Sequence, residues 1–326
     1  MYPPRSVLVV TKQNTPHAAA LGLQMCQWFG EYGVACRVME GPASVLFSPS
    51  ENTLPVSVGS AEDNLGAAFA KVNTADTSYS PCKAALLSEC LHDVDLVFVL
   101  GGDGTMLGVS RKLIGVGIPI FGINLGNLGF LTSAPAVTWQ QTLARIMSGD
   151  MQLSPRLALH FRIVRNGQCI ASGGAVNDIV IHRGSLARVI SLDVDIDAEH
   201  FITMRADGLI FSSPTGATGY SISARGPLLH PALDAYAMTP ICPFLGNVPP
   251  MVLAPQSECR VRFLNDQDTV SLTVDGQDAY ALIFGDEIVV TGMPAALNFG
   301  ILGKSDYLGK LHSCGFVHDS RLAKKS

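Results

Sequence analysis

The chain has 326 residues, of which 48% are hydrophobic and 15% charged, with a net charge of −5. That composition supplies a large core and excludes a disordered chain, and the length suits two domains of ordinary size, or one large one. The acidic balance excludes a general nucleic-acid binder, which carries a basic face, but not a small anionic ligand held by a few local arginines or a metal.

Up to about residue 150 the pattern alternates strand and helix. Ser6 to Val10 (SVLVV) reads as a first strand, and Ala18 to Tyr32 as a helix with Leu21, Met25, Trp28 and Phe29 on one face. Ala35 to Met39 (ACRVM) is a second strand. Asp95 to Leu100 (DLVFVL) is a third, apolar throughout, as expected of a parallel strand covered on both faces. Pro119 to Asn124 is a fourth, and Thr138 to Met147 a helix ended by Gly149. Strands alternating with helices predict an open α/β sheet of Rossmann-like type over residues 1–150. Within it, 41–64 is rich in Pro, Ser, Asn and Gly and reads as an irregular surface insertion.

After residue 155 the period becomes two. Ile190, Leu192, Val194 and Ile196 alternate with Ser191, Asp193, Asp195 and Asp197, which predicts a strand with a solvated acidic face rather than a calcium site. LALHFRIVR and CIAS flank Asn166-Gly167, a hairpin signal. Residues 151–295 therefore read as an antiparallel β-rich domain, with 296–326 returning to the first domain. The eight cysteines form no C-x-x-C pair and read as free thiols in a reducing compartment. No apolar run is long enough to span a membrane, and the N-terminus has no signal-peptide pattern, so the expectation is a cytoplasmic protein with neither membrane nor nucleic acid as partner.

The third strand ends in Gly101-Gly102-Asp103-Gly104-Thr105, with a helix starting near Thr105. Ligands of open α/β sheets sit beyond the carboxyl ends of the strands. Glycines let the backbone approach such a ligand, and a helix N-terminus offers free N–H groups to phosphate. A carboxylate there repels a phosphate. It makes sense if it takes a proton from a hydroxyl beside the phosphates or helps hold a divalent metal; the competing account is an acid favoured by the helix dipole. There is no G-x-G-x-x-G, no G-x-S-x-G and no H-E-x-x-H.

GGDGT resembles the superfamily of NAD kinases, diacylglycerol-type lipid kinases and 6-phosphofructokinases. Asn124 to Leu131 (NLGNLGFL), Val176 to Gly184 (VNDIVIHRG) and Ala206 to Pro231 (ADGLIFSSPTGATGYSISARGPLLHP) are similar to further NAD kinase motifs, in the same order, and Asp275 to Gln277 and Ser305 to Leu311 also fit. The resemblance implies transfer of the γ-phosphate of ATP to the 2′-hydroxyl of the adenosine ribose of NAD+, with Mg2+ or a similar metal. It implies Asp103 as the base and Gly104 against the nucleotide. Asn177 and Asp178 take the place of the family's Asn-Glu pair, and Arg188, Arg205 and Asp207 lie near the dinucleotide. Thr218, Gly219, Tyr220, Ser221, Ile222 and Ser223 form a binding loop with Tyr220 on adenine, and Gln277 is a weaker contact. It also implies a homo-oligomer, dimer or tetramer. Gly108 stands where many members have a basic residue, and PTGATGY replaces PTGSTAY. The alternatives are a lipid or sugar kinase sharing GGDGT, or a non-catalytic NAD-binding sensor.

Overall fold

The computed structural model describes residues 3–41, 90–126, 129–184, 189–244, 248–265, 270–303 and 307–317. The insertion at 41–64 lies outside these, apart from residue 41. The first part of the chain runs β1 (Ser6–Lys12), α1 (Pro16–Glu31), β2 (Ala35–Gly41), β3 (Leu96–Leu100), α2 (Asp103–Lys112), β4 (Ile120–Asn124), the short β5 (Ala134–Pro135) and α3 (Trp139–Met147). The second part runs β6 (Met151–Arg165), β7 (Gln168–Ala175), β8 (Asp178–Arg183), β9 (Ile190–Ile196), β10 (Glu199–Ala206), β11 (Gly208–Ser212), α4 (Tyr220–Ser223), β12 (Tyr236–Ile241), β13 (Met251–Leu253), β14 (Cys259–Phe263), β15 (Val270–Val274), β16 (Asp278–Leu282), β17 (Glu287–Leu302) and α5 (Tyr307–Ser313).

Strands β2, β1, β3 and β4 pair in parallel in that order. Every residue of β3 is buried. Val97 and Val99 enter one core with Met106 and Val109 of α2, and Leu96, Phe98 and Leu100 enter another with Leu21, Met25 and Phe29 of α1. A strand with a core on each face has no polar face to show, which is why its sequence is continuously apolar.

The second part is a sandwich. One layer is an antiparallel six-stranded sheet ordered β13-β12-β11-β8-β15-β16. Its inward residues, among them Ile179, Ile181, Leu209, Phe211, Leu272 and Val274, pack on Leu159, Phe161, Leu192, Val194, Val261 and Ile288 of the opposite layer. That opposite layer is a continuation of the first domain's sheet. Strand β17 pairs antiparallel with β6 along most of its length and with β14, and at Phe299↔Ile120 it runs parallel to β4. The parallel and antiparallel halves thus share one eleven-stranded sheet. The β6–β7 hairpin closes at Asn166 and Gly167, both at positive φ (50° and 76°), with Arg165 opposite Gln168; the right-handed twist of a two-residue hairpin requires that backbone.

Two expectations are corrected. The aspartates of β9 are not simply solvated: Arg262 Nη2 lies 2.8 Å from Asp193 and 2.7 Å from Asp195. The cysteines are not all free thiols: Cys26 of α1 and Cys36 of β2 are disulfide-bonded, Cα atoms 5.2 Å apart. The pair forms because the turn after α1 brings the helix's last turns alongside β2. Cys169, Cys242, Cys259 and Cys314 are free thiols, and Cys82 lies outside the described residues.

Candidate functional site

The glycine loop at the end of β3 turns directly into α2, which starts at Asp103 itself, with Gly102 as the extended N-cap. The helix's first N–H groups have no partner inside it. The Asp103 carboxylate does not point along them. It folds across to the loop after β4, where Oδ2 accepts the Phe130 N–H at 2.8 Å and Oδ1 the Leu131 N–H at 3.1 Å. The approach is so close that a Cβ at position 129 would stand 2.2 Å from Oδ1, so the neighbouring residue has to be glycine. Beside Gly104, by contrast, the space for a Cβ is empty, and the residue is exposed. From the other side, Lys310 Nζ of α5 donates to the carbonyls of Phe130 (3.1 Å) and Thr132 (2.8 Å). The loop that grips the carboxylate is therefore itself held from a distant part of the chain.

Asp178 begins β8, and Asn177 immediately precedes it. The backbone N–H groups of Val176, Asn177 and Asp178 all donate to the carboxylate of Asp275, at 2.7–3.0 Å. Arg111, on the last turn of α2, ion-pairs with Asp275 (3.3 Å) and with Asp278, and its Nη1 donates to Gln277 Oε1 at 3.3 Å. The helix that begins with Asp103 is thereby tied at its other end to the turn that holds Asn177. The Asn177 Oδ1 is buried and without a partner. Such an atom costs free energy unless a ligand fills the vacancy in its hydrogen bonding. Burial, and then the nearby charge of Asp275, push the Asp178 carboxyl up to about 7.

Across the outer face of the six-stranded sheet lies a cleft of about 490 Å³, within the range of small-molecule sites. Val180 and His182 of β8 line it together with Thr273 of β15, Arg183, Asp207 and Tyr220. Alternation along β8 puts Asp178 on the face of Val180 and His182. Arg183 Nε pairs with Asp207 Oδ1 at 3.1 Å. Tyr220 is 48% exposed, which removes the ordinary core role for its ring. Thr218, Gly219, Ile222 and Ser223 share its loop, and a Cβ at 219 would come 3.9 Å from Asp178 Oδ2. Ser221 differs: it is fully buried and its Oγ lies 3.3 Å from Thr239 Oγ1, so it supports the loop from below. Arg205 is exposed on β10 with its guanidinium 5.1 Å from the Phe244 ring centroid. Arg188 lies outside the described residues. The sequence reading missed Arg183, His182 and Arg111. For His182 the signal was present, as the period-two partner of Asp178.

A fixed carboxylate in a glycine loop at a helix N-terminus, in a chain that also carries a strand-lined cleft, fits the class of nucleotide phosphotransferases. Residues 7–151 match the ATP-NAD kinase N-terminal domain and residues 176–299 the ATP-NAD kinase C-terminal domain. The chain is 46% identical over 319 residues to the NAD kinase of Nitratidesulfovibrio vulgaris strain DP4, covering 98% of this chain and 94% of that one. It is 41% identical over 317 residues to the NAD kinase of Oleidesulfovibrio alaskensis, with 97% and 95% covered. Among solved structures, yeast NADH kinase complexed with NADH is similar at TM-score 0.75 and 26% identity, with 99% and 91% covered. An NAD kinase from Archaeoglobus fulgidus in complex with ATP shares the fold at TM-score 0.64 and 20% identity, with 94% and 99% covered. The chain belongs to the NAD kinase family. Its activity is that family's: phosphoryl transfer from ATP to NAD+. The lipid- and sugar-kinase readings end there.

Proposed function

We propose that Asp103 is the general base in this transfer and that the 2′-hydroxyl of the adenosine ribose of NAD+ is the acceptor. The carrying observation is the double amide grip on its carboxylate from Phe130 and Leu131, which fixes a proton acceptor at the mouth of α2. Asp103 takes the hydroxyl proton as the 2′-oxygen bonds to the γ-phosphorus. The bond from that phosphorus to the β,γ-bridging oxygen breaks, and ADP leaves. The open backbone at Gly104 and the first N–H groups of α2 position the phosphates. Asn177, through its unpartnered Oδ1, and Asp178 hold the dinucleotide. Tyr220 stacks on adenine, Asp207 lies in the same cleft, and Thr218, Gly219, Ile222 and Ser223 shape the loop around it. Arg188, Arg205 and Gln277 are peripheral contacts in this scheme.

Mg2+ belongs to the proposal as the companion of ATP. Among the described residues, the group of three His, Cys or acidic side chains close enough to share an ion is Asp193, Asp195 and His200 on β9 and β10, and Arg262 already engages its two aspartates. Among the described residues the α2 loop offers one carboxylate and no cage, so no step is assigned to a protein-held metal. When bound with ATP, the cation supplies charge neutralisation on the phosphates. A cytoplasmic location and a homo-oligomer are also proposed. The second is supported by β13, an edge strand of its sheet on which Val252 is 49% exposed; light scattering on the purified protein tests it. The central test is incubation with ATP, Mg2+ and NAD+, with NADP+ read by an NADP-specific dehydrogenase. NADP+ formation is expected. Tight NAD+ binding without NADP+ would make the protein a sensor instead.

A further inference from the structure

Behind the loop that grips Asp103 is a small cavity of about 20 Å³, lined by Phe130, Leu131, Arg156, Thr215, Thr218 and Tyr307, among others. Two of the lining residues carry a buried polar atom without a hydrogen-bond partner: Nε of Arg156 and Oγ1 of Thr215. Arg156 sits on β6, opposite Leu297 of β17. No carboxylate among the described residues pairs with it. Its guanidinium lies 5.7 Å from the Phe299 ring centroid, and burial lowers its pKa. The Tyr307 hydroxyl is spoken for, donating to the Leu229 carbonyl at 3.0 Å. A ring face offsets only a small part of the cost of taking a cation out of water. A guanidinium kept this way, with a donor hydroxyl beside it, is the pattern expected of a site whose counter-charge arrives with a ligand.

We propose that Arg156 and Thr215 form a phosphate-oxygen subsite in which a bound nucleotide places one oxygen. The cavity's size admits one oxygen and not a whole phosphate group, so the body of the anion remains at its mouth. Phe130 and Leu131 line the cavity while their amides hold Asp103, so an oxygen seated here lies across one loop from the base. Either nucleotide carries the required chemistry: the triphosphate of ATP or the diphosphate of NAD+. This inference rests on the phosphotransferase reading.

The test is calorimetric binding of ATP and of NAD+, measured separately, to the wild type, Arg156→Gln and Thr215→Val, together with melting temperatures and wild-type NADP+ formation. Arg156→Gln is expected to weaken one nucleotide by about tenfold or more, the effect of losing a charged hydrogen-bond donor. Thr215→Val removes a hydroxyl that has no partner in the free protein. It should weaken the same nucleotide by a smaller factor without lowering the melting temperature. Loss confined to ATP assigns the subsite to the donor, and loss confined to NAD+ assigns it to the acceptor. Unchanged affinity for both, or a fall in melting temperature alone, overturns the proposal and makes Arg156 a packing residue. Should Arg156→Gln fail to fold, Thr215→Val decides alone, unchanged affinities again overturning it. A wild type that makes no NADP+ sinks the enzymatic reading separately, while the affinities still report on the subsite.

Discussion

Asp103 carries two competing accounts that its surroundings now separate. As an acid favoured by a helix dipole it would contribute about 0.3–1 kcal/mol to stability and nothing to turnover. As a base it contributes roughly 10²–10⁴-fold to rate. Asp103→Asn does more than remove the charge, because both carboxylate oxygens accept backbone amides. An Asn offers one oxygen, so an amide N–H of Phe130 or Leu131 faces an NH2 group, at a cost of about 1–3 kcal/mol. The melting temperature therefore falls under either account, and kcat decides: a loss of at least a hundredfold is expected, and a kcat within a few-fold of wild type would remove Asp103 from the chemistry. Asp178 gives a pH signature. With its carboxyl raised to about 7, it is mostly protonated at pH 6 and ionised at pH 8 in the free protein. An ionised carboxylate is the stronger acceptor for a ribose hydroxyl. NAD+ affinity should thus rise with pH through about 7, and the inflection should vanish in Asp178→Asn. Stability moves the opposite way. A carboxyl whose folded pKa is raised stabilises most below its unfolded value near 3.8, and that contribution is lost as pH rises through about 7. The melting temperature of Asp178→Asn relative to wild type should therefore climb between pH 5 and pH 8. A constant difference would show that Asp178 does not titrate there.

At the scale of elements, the join between α2 and the β15–β16 turn organises the site. Asp275 and Gly276 take positive φ (53° and 61°), which turns the Asp275 carboxylate inward onto the amides of Val176, Asn177 and Asp178. Burial pushes the Asp275 carboxyl up, against the pull of those amides and of Arg111. The Arg111 and Asp275 side chains are 7% and 0% exposed. Breaking a buried pair of this kind costs about 3–5 kcal/mol, whereas a half-exposed pair such as Arg145–Asp150 is worth about 0–1. Asp275→Asn should lower stability by the larger amount in urea titration and Asp150→Asn by the smaller, and NAD+ affinity should fall only in the first. Equal effects would make the Arg111–Asp275 pair an ordinary surface bridge. Asp275 to Gln277 stood out as a motif in the sequence, but their pairing with Arg111 did not. Strands β1 to β4, α1 and α3 were legible, because local periodicity records which face is covered, and Asp103 was, because its glycine neighbours set it apart. Arg111, in contrast, reads as any basic residue in a helix's last turn, and its partner lies 164 positions away. Ser221 and Tyr220 are adjacent in a motif; only the folded loop shows that one is interior and the other faces the cleft. The acids of β9 alternate as a solvated face would, and the arginine that engages them comes from β14.

For the molecule as a whole, the two halves read from the change of rhythm near residue 150 are joined through one continuous sheet. β6 and β17 pair from Met151↔Leu302 to Val164↔Glu287, with one register break between Met293 and Leu297. Phe299 then pairs into the parallel sheet. Further ties cross the same boundary, among them Arg111 to Asp275, Lys310 to the Phe130 and Thr132 carbonyls, and Ser133 Oγ to the Gly300 carbonyl at 2.8 Å. Chains of this length divided into separate domains often unfold in more than one step. Here, melting the parallel half strips β17 of its β4 neighbour and frees the α2 anchor of Asn177, so each half loses contacts when the other goes. One cooperative thermal transition is expected, with far-UV and near-UV circular dichroism superimposing. NAD+ at about 100 times its dissociation constant should move that whole transition upward, as roughly 2.7 kcal/mol of linkage requires. Two resolved transitions, of which NAD+ shifts only one, would mean that β17 bridges the halves without coupling them. The Arg111–Asp275 pair would then be a contact across the boundary that does not couple the halves, rather than the link that makes Asp103 and Asn177 parts of one site.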